Sequence, residues 1–183
     1  MKKQFDYDNH WHYRNELIEQ LQKDAIYNYE EYLKSNSQIS LRNYIRSLFS
    51  LYEGVLANLR EKLANRIQTL YLIGALNEIN IHDLYLLMDE AVSINERGGV
   101  NKKFNANSFE KLLKFVIKKA CELNKIEDQI FNQGWNDFKS FIKIRDRITH
   151  PKYEEGILVS EDDYKIIENA KKWWDKTLRI VFI

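Results

Sequence analysis

One stretch leaves this chain little choice of fold. From about Ser40 to Ile67, Leu41, Tyr44, Ile45, Leu48, Tyr52, Val55, Leu56, Leu59 and Leu63 recur at the spacing that lines up one face of an α-helix. A stripe of that length must be covered by other helices, so it predicts the core of a bundle. The rest of the chain agrees. Its 183 residues include one Pro and six Gly, which leaves little room for turns and favours few, long elements. No stretch alternates apolar and polar residues as a half-buried strand does. The expected class is all-α, a bundle of about five to six helices.

Taken in order, Asn9 to about Leu33 reads as a first helix, with Trp11, Leu17, Leu21, Ile26, Tyr29 and Leu33 at helical spacing. Within it, His10 and His12 are two apart and point away from each other on a helix, so they make no metal pair. Tyr7, Trp11, Tyr13, Tyr27, Tyr29 and Tyr32 form an aromatic cluster suited to packing, within a subunit or between subunits. Ser37 or Ser40 caps the long helix. Leu70 to Asn80 fits a short helix or a turn around Gly74. Asp83 to about Ile94 is predicted helical, and Glu96 to Asn107 a loop broken at Gly98-Gly99. Asn107 or Ser108 caps a helix reaching about Leu123, with Lys111, Lys114, Lys118 and Lys119 on its basic side. After a connector, a helix from Trp135 to His150 stops at Pro151, and Ser160 to Asp163 caps a last helix ending near Arg179. No internal repeat or long linker divides this order. The expectation is one domain over 1–183, with a core of about 37–180 and the helix of 9–33 packed on it.

Charge and cysteine narrow the function classes. With 28 basic against 27 acidic residues the net charge is +1, so contact with nucleic acid would rest on a local patch. The single Cys121 forms no internal disulfide, which fits a reducing cytoplasm. Met1 to Asp8 is polar and unlike a signal peptide, and no apolar run approaches the ~18 residues of a membrane span. A soluble, cytoplasmic protein with no membrane partner is expected.

Chemistry concentrates in Arg145-Asp146-Arg147-Ile148-Thr149-His150-Pro151. On a helical wheel Arg145 falls near the middle of an apolar arc formed by Trp135, Phe138, Phe141, Ile142, Ile144 and Ile148. Asp146 follows at about 100° and His150 at about 140°, on the edge of that arc. A guanidinium is not buried without a partner. Either a carboxylate pairs with Arg145 inside the fold, or the face borders a cleft or a second subunit where an anion is met. Asp146 and His150 are four apart, so their side chains can touch, which would suit proton transfer near neutral pH. Arg42, Arg46 and Glu53 lie along one edge of the long helix. They are either an ordinary solvated edge, or Glu53 reaches Arg145 and the arginines hold phosphate.

Arg145, four residues, then His150, with Asp146 after the Arg, resembles the Rx4–6H signature of the HEPN (higher eukaryotes and prokaryotes nucleotide-binding) family. Leu41-Arg-Asn-Tyr-Ile-Arg-Ser-Leu-Phe-Ser-Leu-Tyr-Glu-Gly54 and Trp135-Asn-Asp-Phe138 through Lys152 extend the resemblance over about residues 37–180. It implies a helical bundle with the motif on its penultimate long helix, dimerising so that two motifs share one composite site. Many members are metal-independent endoribonucleases without cofactor, found in toxin–antitoxin, phage-defence and RNA-processing systems. Others are non-catalytic and bind nucleotides, RNA or a partner protein. The resemblance implies catalytic roles for Arg145, Asp146 and His150. Arg147, Lys152, Arg42 and Arg46 are candidate RNA contacts and Glu53 a supporting residue, roles that the family pattern does not fix. RNA (structured RNA such as tRNA included) is the expected substrate, and an antitoxin or activator a further partner.

Overall fold

The structure, a computed structural model, describes residues 16–88, 90–94, 96–104, 107–126 and 129–182. Among these the chain is all-α in class, with six α-helices and one short hairpin. The helices are α1 (Glu16–Ser35), α2 (Gln38–Leu72), α3 (Ile81–Leu87), α4 (Phe109–Asn124), α5 (Gln133–Thr149) and α6 (Glu161–Phe182). The hairpin pairs β1 (Glu90–Ile94) with β2 (Val100–Phe104). The motif therefore lies on the penultimate helix, as expected. His10, His12, Tyr7, Trp11 and Tyr13 lie outside the described residues. No helix among the described residues is long and apolar enough to cross a membrane.

The chain divides into two compact units, Met1–Gly54 with Ile126–Ile183, and Val55–Lys125. α2 contributes a segment to each. In the first unit α1, the start of α2, α5 and α6 form a helical bundle around an aromatic core. Tyr52 stacks on Trp174 at 4.3 Å, Phe138 on Trp174 at 5.4 Å, and Phe49 meets Phe141 edge-on at 5.7 Å. Each such buried ring contributes about 2 kcal/mol by removing apolar surface from water. α5 and α6 pack tightly at Gly134, where an added Cβ would lie 2.7 Å from Trp173 Cδ1. Only glycine fits there. The Trp173 indole N–H donates to the Ile130 carbonyl at 2.9 Å, which satisfies the polar atom this ring brings into the core.

α1 departs from its predicted face. Leu17 and Leu33 are each 60% exposed, and Ala25 is its one fully buried residue among those described. Of the predicted face Tyr29 does turn inward, against Tyr44 of α2 at 4.9 Å, and Tyr32 from outside that face meets Tyr164 of α6 at 5.8 Å. Tyr27 stays exposed.

The second unit corrects one element outright. The predicted helix from Asp83 to Ile94 ends at Leu87, and the predicted loop after it holds β2. Ile94 pairs with Val100 and Glu90 with Phe104 in antiparallel register, around a turn where Gly98 takes φ +75°. Leu84, Leu87, Met88, Ala91 and Val92 fit helical spacing, but Val92 and Ile94 find β partners that local periodicity cannot register. Gly74, at φ +74°, makes the turn after α2 that the sequence left open. α4 begins with the Ser108 side chain accepting from Lys111 N–H and ends on Lys125 in the left-handed region. Cys121 is buried on it. Lys119 is not free on the basic side, because it pairs with Asp83 at 2.8 Å and Glu122 at 2.7 Å.

Candidate functional site

Both ends of α5 are specified locally. Asn132 caps the start by accepting from Gly134 N–H, and Trp135, Phe138, Phe141, Ile144 and Ile148 are buried along the predicted arc. Pro151 disfavours helical geometry in the residue before it. His150 accordingly closes the helix at φ −125°, ψ 62°, with its backbone N–H donating to the Asp146 carbonyl at 2.9 Å.

Arg145 meets its partners inside the first unit. Nη2 lies 3.2 Å from Glu53 Oε1, Nη1 lies 3.2 Å from Asp146 Oδ1, and the guanidinium carbon sits 3.7 Å over the centre of the Phe49 ring. Nε is buried with no acceptor. The side chain is 20% exposed, whereas Glu53 and Asp146 are 51% and 56% exposed. Glu53 and Asp146 are thus carboxylates of the kind that the first explanation for a charge on an apolar face calls for. Burial pushes the Glu53 carboxyl up, Arg145 pulls it back and Asp146 pushes it up again, and the net is a group above its usual range.

His150 does not join this cluster through its side chain. Among the described residues no hydrogen bond links its imidazole to Asp146, although the four-residue spacing would let the two touch. The reason is local: a side chain leaving a non-helical residue no longer follows the i, i+4 line. Asp146 spends its carboxylate on Arg145 instead. The imidazole is exposed, as are Pro151 and Lys152 after it.

The other arginines hold the segment that carries His150. Arg46 Nη2 donates to the Ile148 carbonyl at 2.7 Å, closing one of the last unpaired carbonyls of α5. Arg42 Nη1 reaches the Ile157 carbonyl at 3.4 Å. Gln38 grips Val159 twice at 2.9 Å, donating to its carbonyl and accepting from its N–H. Arg147 pairs with Asp163 at 2.7 Å, and Asp163 exchanges backbone-to-side-chain bonds with Ser160 in the predicted helix cap. Burial alone would raise the Asp163 carboxyl, but the Ser160 backbone N–H and the Arg147 guanidinium outweigh it and hold it below the usual range. Three of the four candidate RNA contacts thus fasten the loop, and Lys152 is exposed beside His150.

Phe49 and Gln38 were missed as site residues. Arg42, Arg46, Phe49 and Glu53 fall within about 60° of one another on α2, so the line that serves the end of α5 could have been drawn from spacing. A second polar cluster was missed altogether. Lys171 is buried on α6, 2.7 Å from Glu168, with Tyr29 and Tyr44 rings at 5.3 and 5.4 Å. Burial lowers Lys171 and pushes Asp175 up to about 6, although Lys171 and Arg179 pull Asp175 down.

The arrangement offers an oriented guanidinium for a phosphate oxygen pair and an exposed imidazole on an anchored loop for proton transfer. Among the described residues no three His, Cys, Asp or Glu side chains gather in a geometry that could hold a metal ion. Comparison with protein-family models, with curated proteins and with solved structures finds no match.

Proposed function

We propose that this chain is a metal-independent endoribonuclease of the HEPN type, acting in the cytoplasm as a homodimer with a composite site. The observation that carries the reading is the end of α5. Arg145 lies over Phe49 with Glu53 and Asp146 beside its guanidinium, and one turn on, His150 stands exposed on a loop fastened by Gln38, Arg46 and Arg147. In the proposed reaction one histidine takes the proton of the 2′-hydroxyl as its oxygen attacks phosphorus. The bond to the 5′-oxygen breaks, a second imidazole protonates that oxygen, and Arg145 stabilises charge on the phosphorane. The products are a 2′,3′-cyclic phosphate and a 5′-hydroxyl. One His150 does not serve both transfers in a single pass, so the partner copy supplies the second. A toxin–antitoxin or phage-defence setting, with an antitoxin or activator, is part of the same proposal.

A second reading is a non-catalytic module that binds RNA, a nucleotide or a protein. It is favoured by the pairing of Arg145 within the protomer and by the lack of a side-chain bond between Asp146 and His150. Incubation with total RNA in EDTA, beside His150→Ala, separates the two. Cleavage by the wild type alone, leaving cyclic phosphate ends, supports the nuclease. Binding without cleavage supports the module, and equal cleavage by His150→Ala removes the proposed mechanism.

A further inference from the structure

Arg145 is paired, but loosely. Charge-assisted N–H···O bonds run at about 2.7–2.9 Å. Arg147 meets Asp163 in that range at 2.7 Å, whereas both carboxylates of Arg145 stand at 3.2 Å. Nε adds a buried donor with no acceptor. Glu53 occupies its place at a cost, since burial raises its carboxyl further than Arg145 lowers it. It also has somewhere to go. Its side chain is 51% exposed, so rotation about its own bonds carries the carboxylate into water without moving α2.

We propose that Glu53 is a displaceable internal anion, which holds the Arg145 guanidinium until an RNA phosphate takes its place and so sets the affinity of the site. The inference rests on the phosphate-binding role proposed for Arg145. A phosphodiester presents two non-bridging oxygens to the guanidinium fork, where Glu53 offers one long contact. Phe49 lies under the guanidinium and keeps its plane fixed while the anions exchange. Asp146 repels either anion and does not decide between them. Glu53 is thus a positioning residue and acts through Arg145.

The test uses a short fluorescein-labelled 2′-O-methyl RNA, which cannot be cleaved, titrated at low salt against wild type, Glu53→Gln, Glu53→Ala and Arg145→Gln. Melting temperatures confirm that each is folded. Both Glu53 variants should bind about tenfold more tightly than the wild type, a change equal to one lost competing charge contact. The gain should vanish when Glu53→Gln is combined with Arg145→Gln. Unchanged or weaker binding by both Glu53 variants overturns the proposal. So does a gain that persists without Arg145, or no binding by any of the proteins. The nuclease reading fails separately: wild-type cleavage in EDTA without a Glu53 effect leaves the nuclease and removes the displaceable anion. A Glu53 effect without cleavage does the reverse.

Discussion

Arg145 and Arg147 stand two residues apart on α5, and each meets a carboxylate from another helix. Their pairs behave oppositely. Arg147 lies 2.7 Å from Asp163, whose carboxyl is held below its usual range because the Ser160 N–H and the guanidinium outweigh burial. Arg145 lies 3.2 Å from Glu53, whose carboxyl is raised because burial outweighs the guanidinium. The sign depends on what else each carboxylate accepts. Asp163 takes a backbone N–H as well as the arginine, while among the described residues the further charge acting on Glu53 is Asp146, of its own sign. The first pair fastens a loop. The second stores a mismatch, and of the two it is the one an incoming anion can relieve.

The largest expected effect comes from breaking the fastened pair. Asp163→Ala should cost about 2 kcal/mol in urea unfolding followed by tryptophan fluorescence, since it removes a charge-assisted bond and a helix-cap acceptor together. Arg147→Ala should cost less, because the cap survives. The pH dependence follows from the depressed carboxyl. Its stabilisation is complete above the unfolded carboxylate range and is lost as pH falls through the folded value. The gap between wild type and Arg147→Ala should therefore close on acidification, and a gap that stays constant would show that Arg147 does not help to hold Asp163 below its usual range.

Asp175 extends the Glu53 case to a deeper site. Burial pushes it up to about 6 despite Lys171 and Arg179. A folded value above the unfolded one means that ionisation penalises the fold. The penalty is absent at low pH, grows as pH rises above the ordinary carboxylate range, and is complete above about 6. Asp175→Asn should stabilise the protein by about 1 kcal/mol at pH 8, with the gain fading toward pH 4. Loss of stability at pH 8 would mean that the attraction of Lys171 and Arg179 outweighs burial, and would place Asp175 with Asp163.

Much of this contrast could be read from sequence, and its limits have physical causes. The α2 stripe is buried except for the half-buried Val55, and Pro151 ends α5 where it should. Both rest on local rules. Glu53 reaching Arg145 was one of two open alternatives, because spacing shows that Glu53 shares an edge with Arg42 and Arg46 without showing what lies across from it. Whether an arginine faces solvent or a helix-end carbonyl depends on tertiary placement, so Arg42, Arg46 and Arg147 read as RNA contacts. The β1–β2 pairing failed for the same reason: Val92 and Ile94 fit one face of a helix until Val100 to Phe104 folds back beside them. Nothing in the spacing of α6 marks Lys171, which packs against Tyr29 and Tyr44 from two other helices.

Replacing Arg145 tests whether the loose pair is a structural need. Arg145→Met keeps a flexible chain over Phe49, where sulfur–aromatic contact replaces the cation, and frees two half-exposed carboxylates to turn to water. Stability should change by less than about 1 kcal/mol, while RNA cleavage or binding is lost. A cost comparable to that of Asp163→Ala would make both arginines structural and end the contrast.

The smallest effect is the most specific. Glu53→Gln keeps shape and removes charge, so its sign reports whether burial or Arg145 dominates. A raised folded carboxyl means the ionised form is penalised at neutral pH, and the penalty lifts as pH falls toward the unfolded value. Solvent screening at a half-exposed side chain keeps the size to a few tenths of a kcal/mol, with Glu53→Gln the more stable at pH 7 and equal to wild type at low pH. Asp163→Asn, measured alongside, should show the opposite sign. If both substitutions destabilise at pH 7, the two arginine pairs are alike, and Glu53 holds Arg145 as firmly as Asp163 holds Arg147.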